Sequence, residues 1–333
     1  MKKALTLAIF IVLHTCCFGQ LTLELKGSAL ADSIFFSNIT QDNEFQFIRY
    51  SDVLDIRLNG PLNDLYNLTF YSGVEKKMNQ LWLNGDRVVL KGKFTGKILD
   101  IDTVIGSDLY YKSINFRKRF EYLLTQLADS ITVNSFLLEG VKDNLDNPYS
   151  IEIARNFFMR NLSRKPELRK LRNLLESQDT SIRDHLFNPY LKIENILTRN
   201  KIELAKFRFY TPEGKLEPLI LSIGKRYLID MWFVGCAPCI EQHKEMASQL
   251  PVLKNNNIEV IGISVDQDQD QWKNFLKRKK YNWLNVRETD NHEQRLRTDM
   301  LIESFPTYFL IDSDGVILHR TNSFKEMTTY LKL

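Results

Sequence analysis

Apolar and polar residues alternate with a period of two along Leu21-Thr-Leu-Glu-Leu-Lys26, as in a strand with one buried face. Phe45-Gln-Phe-Ile-Arg-Tyr50 is aromatic-rich. Leu81-Trp-Leu, then Arg87-Val-Val-Leu-Lys-Gly92, reads as strand, turn, strand around Asn84-Gly85, and Asn59-Gly-Pro61 marks another turn. These signals predict a small antiparallel β domain over residues 20–107. From 108 the period lengthens: Phe116, Phe120, Leu123, Leu124 and Leu127 recur at helical spacing. Pro148-Tyr-Ser150 leads into a second helix carrying Ile151, Ile153, Ala154, Phe157 and Phe158, and Pro166 suits the first turn of a third. Residues 108–201 are therefore expected to form a solvated helical segment.

After about residue 202, strands and helices alternate. Phe207-Arg-Phe-Tyr210 and Arg226-Tyr-Leu-Ile-Asp-Met-Trp-Phe233 read as strands, and Cys236 to about Leu253 as a helix. Ile258-Glu-Val-Ile-Gly-Ile-Ser-Val265 is nearly continuous apolar, as expected of a parallel strand buried on both faces. Helices are predicted over about Asp270–Lys280 and Asn291–Ile302. Two strands then flank the turn Asp312-Ser-Asp-Gly315, and a last helix closes the chain. The expectation is an α/β domain over 202–333, with a central mixed sheet and flanking helices.

The first residues change the count of cysteines. Lys2 and Lys3 precede the apolar run Ala4–Leu13, and Cys17-Phe18-Gly19 places small residues at −3 and −1 of a cut before Gln20. Residues 1–19 are predicted to be a secretory signal peptide, since ten apolar residues are too few to span a bilayer. A lipoprotein cut before Cys16 is a second reading, favoured by Leu13 and opposed by His14 and Thr15. Cleavage before Gln20 removes two of the four cysteines and two of the four net positive charges. The near-balanced remainder argues against nucleic acid as a partner. The product is expected in the periplasm or outside the cell.

Cys236 and Cys239 then remain, two residues apart. So short a loop constrains little of the unfolded chain, so the pair is a poor staple. Its position after a strand and at the opening of a helix favours chemistry instead, because the free amides and dipole of a helix N-terminus stabilise a thiolate. Cys236 is expected to attack and Cys239, one turn later, to resolve. Pro238 fits a first turn that needs no amide donor. Asp230, alone among Leu228, Ile229, Met231, Trp232 and Phe233, has two readings. It either faces water or is buried with a raised pKa as a proton acceptor for Cys239.

Asp230-Met-Trp-Phe-Val-Gly-Cys-Ala-Pro-Cys239 resembles the active-site stretch of thioredoxin-fold proteins, with Asp230 six and Trp232 four residues before the first cysteine. Ser304-Phe-Pro-Thr-Tyr-Phe-Leu-Ile-Asp312 is similar to that fold's cis-proline strand. Ile261-Gly-Ile-Ser-Val-Asp266 with Trp272 resembles the secreted TlpA-like and ResA-like branch of thiol-disulfide oxidoreductases. The resemblance covers 202–333. It implies a thioredoxin-like domain with a redox-active Cys236–Cys239 disulfide, Pro306 in cis against it, and Phe305 offering its backbone to an extended substrate. Ala237 and Pro238 between the cysteines would help to set the potential. The substrates would be protein disulfides, reduced with electrons from a membrane or periplasmic donor, with no cofactor. Gly235 stands where that branch usually has Trp. Gln242 stands where it often has a functional Glu, which leaves Asp230 or Glu241 for that duty. Leu81-Trp-Leu-Asn-Gly and Val104-Ile-Gly-Ser107 resemble the β-plus-helical extension fused to such domains.

Other readings remain open at this stage. One is an oxidase or isomerase on the same site; another is a binding protein in which the CxxC only tightens a turn. A dithiol that handles copper is a third. A structural zinc site would use His243, four residues after Cys239, but His185, His292 and His319 show no paired spacing. Asp266-Gln-Asp-Gln-Asp270 starts like a calcium loop, yet Gln271 and Lys277 stand where Gly and Glu are needed, so it reads as a strand end and a helix cap. Lys277-Arg-Lys-Lys280 reads as a solvated helix end with its cations near the C-terminus, where they complement the dipole.

Overall fold

The computed structural model describes residues 19–26, 31–39 and 45–333. The expected signal peptide lies outside the described residues except for Gly19, which opens the first strand. The chain divides into two compact units, one running through Ala154 and including 178–187, the other holding 155–177 and 188–333. The helical stretch is shared between them.

In the first unit, eight strands form two four-stranded sheets. They are β1 (Gly19–Lys26), β2 (Ser33–Asn38), β3 (Phe45–Arg49), β4 (Val53–Leu58), β5 (Leu62–Ser72), β6 (Glu75–Gly85), β7 (Arg87–Phe94) and β8 (Leu99–Ile105). The sheet orders are β4-β1-β7-β8 and β3-β2-β5-β6. Alternate residues of both sheets share one core, in which Phe70 of β5 stacks on Phe94 of β7 at 4.3 Å between ring centres. The expected all-antiparallel arrangement is corrected at one place: β1 and β7 run parallel, Leu21 opposite Val88 and Leu23 opposite Leu90. Turn residues report only local hairpins. Parallel neighbours need a long crossover, here supplied by the strands that leave for the second sheet and return.

Helix α1 (Asp108–Thr125) starts at Ser107, whose side chain makes no cap bond. Asn84 does that work from the strand end: its Oδ1 accepts from Leu109 N and Ser107 Oγ, both at 3.0 Å. A helix that the sequence pattern did not single out, α2 (Ser130–Lys142), is capped by Asp129, which accepts from Thr132 N at 2.7 Å. α3 (Tyr149–Arg160), α4 (Lys165–Leu175), the single turn α5 (Thr180–Arg183) and α6 (Tyr190–Thr198) complete the helical stretch.

The second unit is built on a seven-stranded mixed sheet. Its elements are β9 (Arg208–Tyr210), β10 (Leu216–Pro218), β11 (Arg226–Trp232), α7 (Ala237–Asn255), β12 (Ile258–Ser264), α8 (Gln269–Lys279), β13 (Leu284–Glu288), α9 (Leu296–Asp299), β14 (Thr307–Ile311), β15 (Ile317–Thr321) and α10 (Phe324–Leu331). The strand order is β10-β9-β13-β12-β11-β14-β15, with β11, β12 and β13 parallel and β14 antiparallel to β11. β11 is central and buried along nearly its whole length. One face of the sheet packs Ile229, Met231, Ile261, Ile263 and Phe309; the other packs Leu228, Val260, Tyr308 and Leu310 against Met246, Phe324 and Met327.

The single helix expected over Asn291–Ile302 is also corrected. A 3-10 turn (His292–Gln294) and the short α9 are separated by Arg295 in extended conformation, φ −95° and ψ 132°. The buried Arg295 guanidinium is the cause. Its Nε donates to Thr289 O at 2.8 Å and its Nη2 to Asp290 O at 2.9 Å, which a continuous helix would not allow.

Gly262 of β12 faces Asp230 in register. A Cβ there would stand 2.6 Å from Asn285 Oδ1 and 3.1 Å from Trp232 Nε1. Asn285 cannot move freely, because its Nδ2 donates to Trp283 O at 2.9 Å. Gly262→Ala is therefore predicted to cost about 1–3 kcal/mol through overpacking. Gly60→Ala, whose Cβ would meet nothing within 4 Å, is the neutral control. Urea unfolding followed by tryptophan fluorescence distinguishes them, and equal midpoints for the two variants would refute the clash.

Candidate active site

β11 ends at Trp232 and α7 begins at Ala237, leaving a four-residue bridge of Phe233, Val234, Gly235 and Cys236. Asp266 pins that bridge: its carboxylate accepts from Val234 N at 3.0 and 3.1 Å and from Ser264 Oγ at 2.6 Å. Cys236 is the N-cap of α7, with its Sγ accepting from Cys239 N at 3.2 Å, and Pro238 sits in the first turn. The two cysteines are joined in a disulfide with Cα atoms 5.3 Å apart. Cys236 is 4% exposed and Cys239 fully buried, whereas Gly235, Ala237 and Pro238 form an exposed rim.

Antiparallel pairing of Met231 with Thr307 carries the residues before β14 alongside the end of β11. The Phe305–Pro306 bond is cis and Pro306 is buried. Phe305 packs edge-on against Phe233, 5.5 Å between ring centres, within the apolar cluster that holds both cysteines. Asn322 steadies this turn, its Nδ2 lying 2.8 Å from Pro306 O and 3.0 Å from Thr307 Oγ1.

Asp230 is fully buried, and of the two readings of this residue the structure shows the buried carboxylate. Its Oδ2 lies 2.7 Å from His243 Nε2, and His243 Nδ1 lies 2.9 Å from the Tyr281 hydroxyl. With Asp230 ionised, Nε2–H must donate to the carboxylate, so Nδ1 accepts from Tyr281 O–H. Asp230 Oδ1 has no partner. Burial raises the Asp230 pKa, and the His243 hydrogen bond opposes that rise. Burial, with the Asp230 charge behind it, also pushes the Tyr281 phenol up to about 12. Trp232 meets the His243 ring edge-on at 5.1 Å, and Tyr281 stacks on Trp283 at 4.3 Å. His243, Tyr281 and Trp283 line a cavity of about 250 Å³ whose rim carries Lys244, Lys279 and Lys280.

Cys236 and Cys239 at one helix end and Phe305 and Pro306 in the turn before β14 are thus brought together. Asp230 and Trp232 lie beneath, joined through His243. Among the described residues no group of three or more His, Cys, Asp and Glu side chains could hold a metal ion, and both His243 nitrogens are engaged as above. Glu241 is exposed and pairs with Lys244 at 2.6 Å. Gln242 Oε1 accepts from Phe324 N at 2.6 Å, at the start of α10. Tyr281 and Asn322 were not anticipated as site residues, and His243 was weighed only as a zinc ligand. For His243 a signal existed: it lies four residues after Cys239, on the same helix face.

A thioredoxin fold with a disulfide capping the helix after its central strand defines a redox-protein class. The family match and the sequence relatives agree with this. A family described as thioredoxin-like matches residues 224–317. The thiol-disulfide oxidoreductase ResA of Bacillus cereus is 27% identical over 150 residues, 44% of this chain and 84% of that protein. The thiol:disulfide interchange protein DsbE of Vibrio cholerae is 26% identical over 132 residues, 39% of this chain and 67% of that protein. Among solved structures, the thioredoxin domain of a thiol-disulfide oxidoreductase from Bacteroides vulgatus is similar with a TM-score of 0.34 and 22% identity, covering 38% of this chain and 91% of that one. Residues 224–317 thus form a thioredoxin-like domain, and the sequence relatives it matches are thiol-disulfide oxidoreductases and interchange proteins.

The pKa of Asp230 predicts a pH dependence of stability. A carboxyl that keeps its proton to higher pH when folded makes the folded state bind more protons than the unfolded chain. The stability it contributes is full below the ordinary carboxylate range and is lost as pH rises through the folded value. Asp230→Asn keeps an acceptor for His243 and removes that loss. The oxidised variant is predicted to be more stable than the parent at neutral pH, with the gap closing as pH falls to about 4. Urea unfolding across this range checks it, and a gap independent of pH would show that Asp230 is not the titrating group.

Proposed function

We propose that the chain is an exported reductase of protein disulfides, acting by dithiol exchange through Cys236 and Cys239. The observation that carries this reading is the position of Cys236 as N-cap of α7, its sulfur already accepting the Cys239 amide. That donor and the helix dipole would hold a thiolate there once the disulfide is reduced. The Cys236 thiolate attacks one sulfur of the substrate disulfide and expels the other as a thiolate. Cys239 then loses its proton to the unpartnered Oδ1 of Asp230, attacks Cys236 Sγ and displaces the second substrate sulfur. Two electrons have passed to the substrate, and the Cys236–Cys239 disulfide has formed.

Pro306 shapes the wall beside the pair, and Phe305 presents its backbone to an extended substrate segment. Trp232 closes the floor beneath the cysteines, and Gly235, Ala237 and Pro238 form the rim that a substrate crosses. The leader-like sequence of residues 1–19 supports action outside the cytoplasm, where a donor at the membrane would have to restore the dithiol. No helix among the described residues is long and apolar enough to cross a membrane.

Cys236→Ser is predicted to abolish reduction of insulin disulfides. Cys239→Ser is predicted to trap a mixed disulfide at Cys236, visible as a mass adduct that dithiothreitol removes. Full activity in the first variant, or no adduct in the second, would overturn the order of attack. Equilibration of the parent protein with dithiothreitol and glutathione buffers tests the direction. A reductase requires a potential toward the roughly −270 mV end of the thioredoxin-fold range, and one near about −120 mV would make the protein a disulfide donor.

A further inference from the structure

Arg320 lies on β15, away from the disulfide, opposite Phe309 of β14. Its guanidinium carbon is 5.0 Å from the centre of the Phe309 ring. Nε and Nη1 are shut off from solvent with no hydrogen-bond partner. Among the described residues no carboxylate pairs with it. A guanidinium withdrawn from water without a counter-charge is unfavourable, and proteins normally answer it with an anion. Burial accordingly pulls the Arg320 pKa down to about 10.

This side chain lines a cavity of about 250 Å³ that also receives Lys165 and Arg199 and has no acidic residue in its walls. The nearby acids are engaged elsewhere. Asp299 pairs with Arg199 at 2.9 Å, and Glu326 accepts from the hydroxyls of Ser163 and Thr321. Asn195, on the same wall, has a buried Oδ1 without a partner, while its Nδ2 donates to Asp299 O. Burial keeps His319, stacked on Tyr330 at 4.2 Å, from adding a further charge at neutral pH. Leu162, Ile196 and Met300 supply an apolar side.

We propose that this cavity is a binding site for a small organic oxyanion, its carboxylate or phosphate head on the Arg320 guanidinium and its apolar body along Leu162, Ile196 and Met300. Arg320 supplies a charge with no carboxylate against it, and Phe309 behind it holds the guanidinium in place. Lys165 adds positive charge at the exposed entrance. The site is separate from the cysteines and does not depend on the exchange reaction.

Calorimetric titration of the full chain tests it, with butanoate, acetate and inorganic phosphate at constant ionic strength and chloride as the reference. A carboxylate ligand predicts butanoate binding above acetate; a phosphate ligand predicts inorganic phosphate binding above both. In either case Arg320→Gln weakens binding at least about 10-fold, the worth of a charge-assisted hydrogen bond. Should Arg320→Gln fail to fold, Lys165→Ala at the exposed entrance is expected to weaken the same binding several-fold. No binding above chloride overturns the site, as does binding that neither variant alters.

Discussion

A carboxylate on the central strand of a sheet has to be taken out of water, and much of the redox domain is arranged around that requirement. Asp230 sits among Ile229, Met231 and Trp232, where an uncompensated charge would cost several kcal/mol. The compensation comes from α7. His243 lies seven positions after Cys236, about two helical turns, so the helix that presents the cysteines at its start also delivers an imidazole to the strand it has just left. Tyr281 then fixes the imidazole from the far side, and the Trp232, Phe275 and Trp283 rings enclose the group. Gly262 is a glycine because this crowding leaves no volume for a side chain.

The order of strands and helices after residue 202 was legible because each element carries its own period and each period is local. The cysteines were legible for the same reason: strand end, proline and helix start all fall within ten residues. Asp230 was marked by its isolation among apolar neighbours, though its burial could not be read from them. Tertiary pairings left no such trace. Nothing near His243 names Tyr281, 38 residues away, and Asn322 reaches Pro306 only after two strands and the turn between them have brought them together. The break at Arg295 depends on where β13 ends, and the parallel β1–β7 pairing depends on a chain excursion through another sheet. Helical periodicity overran the first break, and turn signals were blind to the second pairing.

Gln242 shows how one position can be released from chemistry. Where the resemblance placed a functional acid, this chain has an amide that holds the first amide of α10, next to Ser323, the cap of that helix. Asn322, one residue earlier, holds the cis-proline turn. The short segment Asn322–Phe324 therefore ties the last helix both to α7 and to the wall beside the disulfide. Of the two acids weighed for such a role, Asp230 is buried, whereas Glu241 faces solvent and pairs with Lys244.

Both sulfurs lie below a rim of small residues, Gly235, Ala237 and Pro238. Under the proposed exchange, a client disulfide has to be carried down to Cys236 on a protruding or extended segment. A disulfide packed inside a folded client reaches it only while that client is locally open. If opening and closing are fast, the rate then follows the open population, so each client's own local stability decides how readily it is reduced. The enzyme would discriminate among substrates by how well they are folded, with no need to read their sequences.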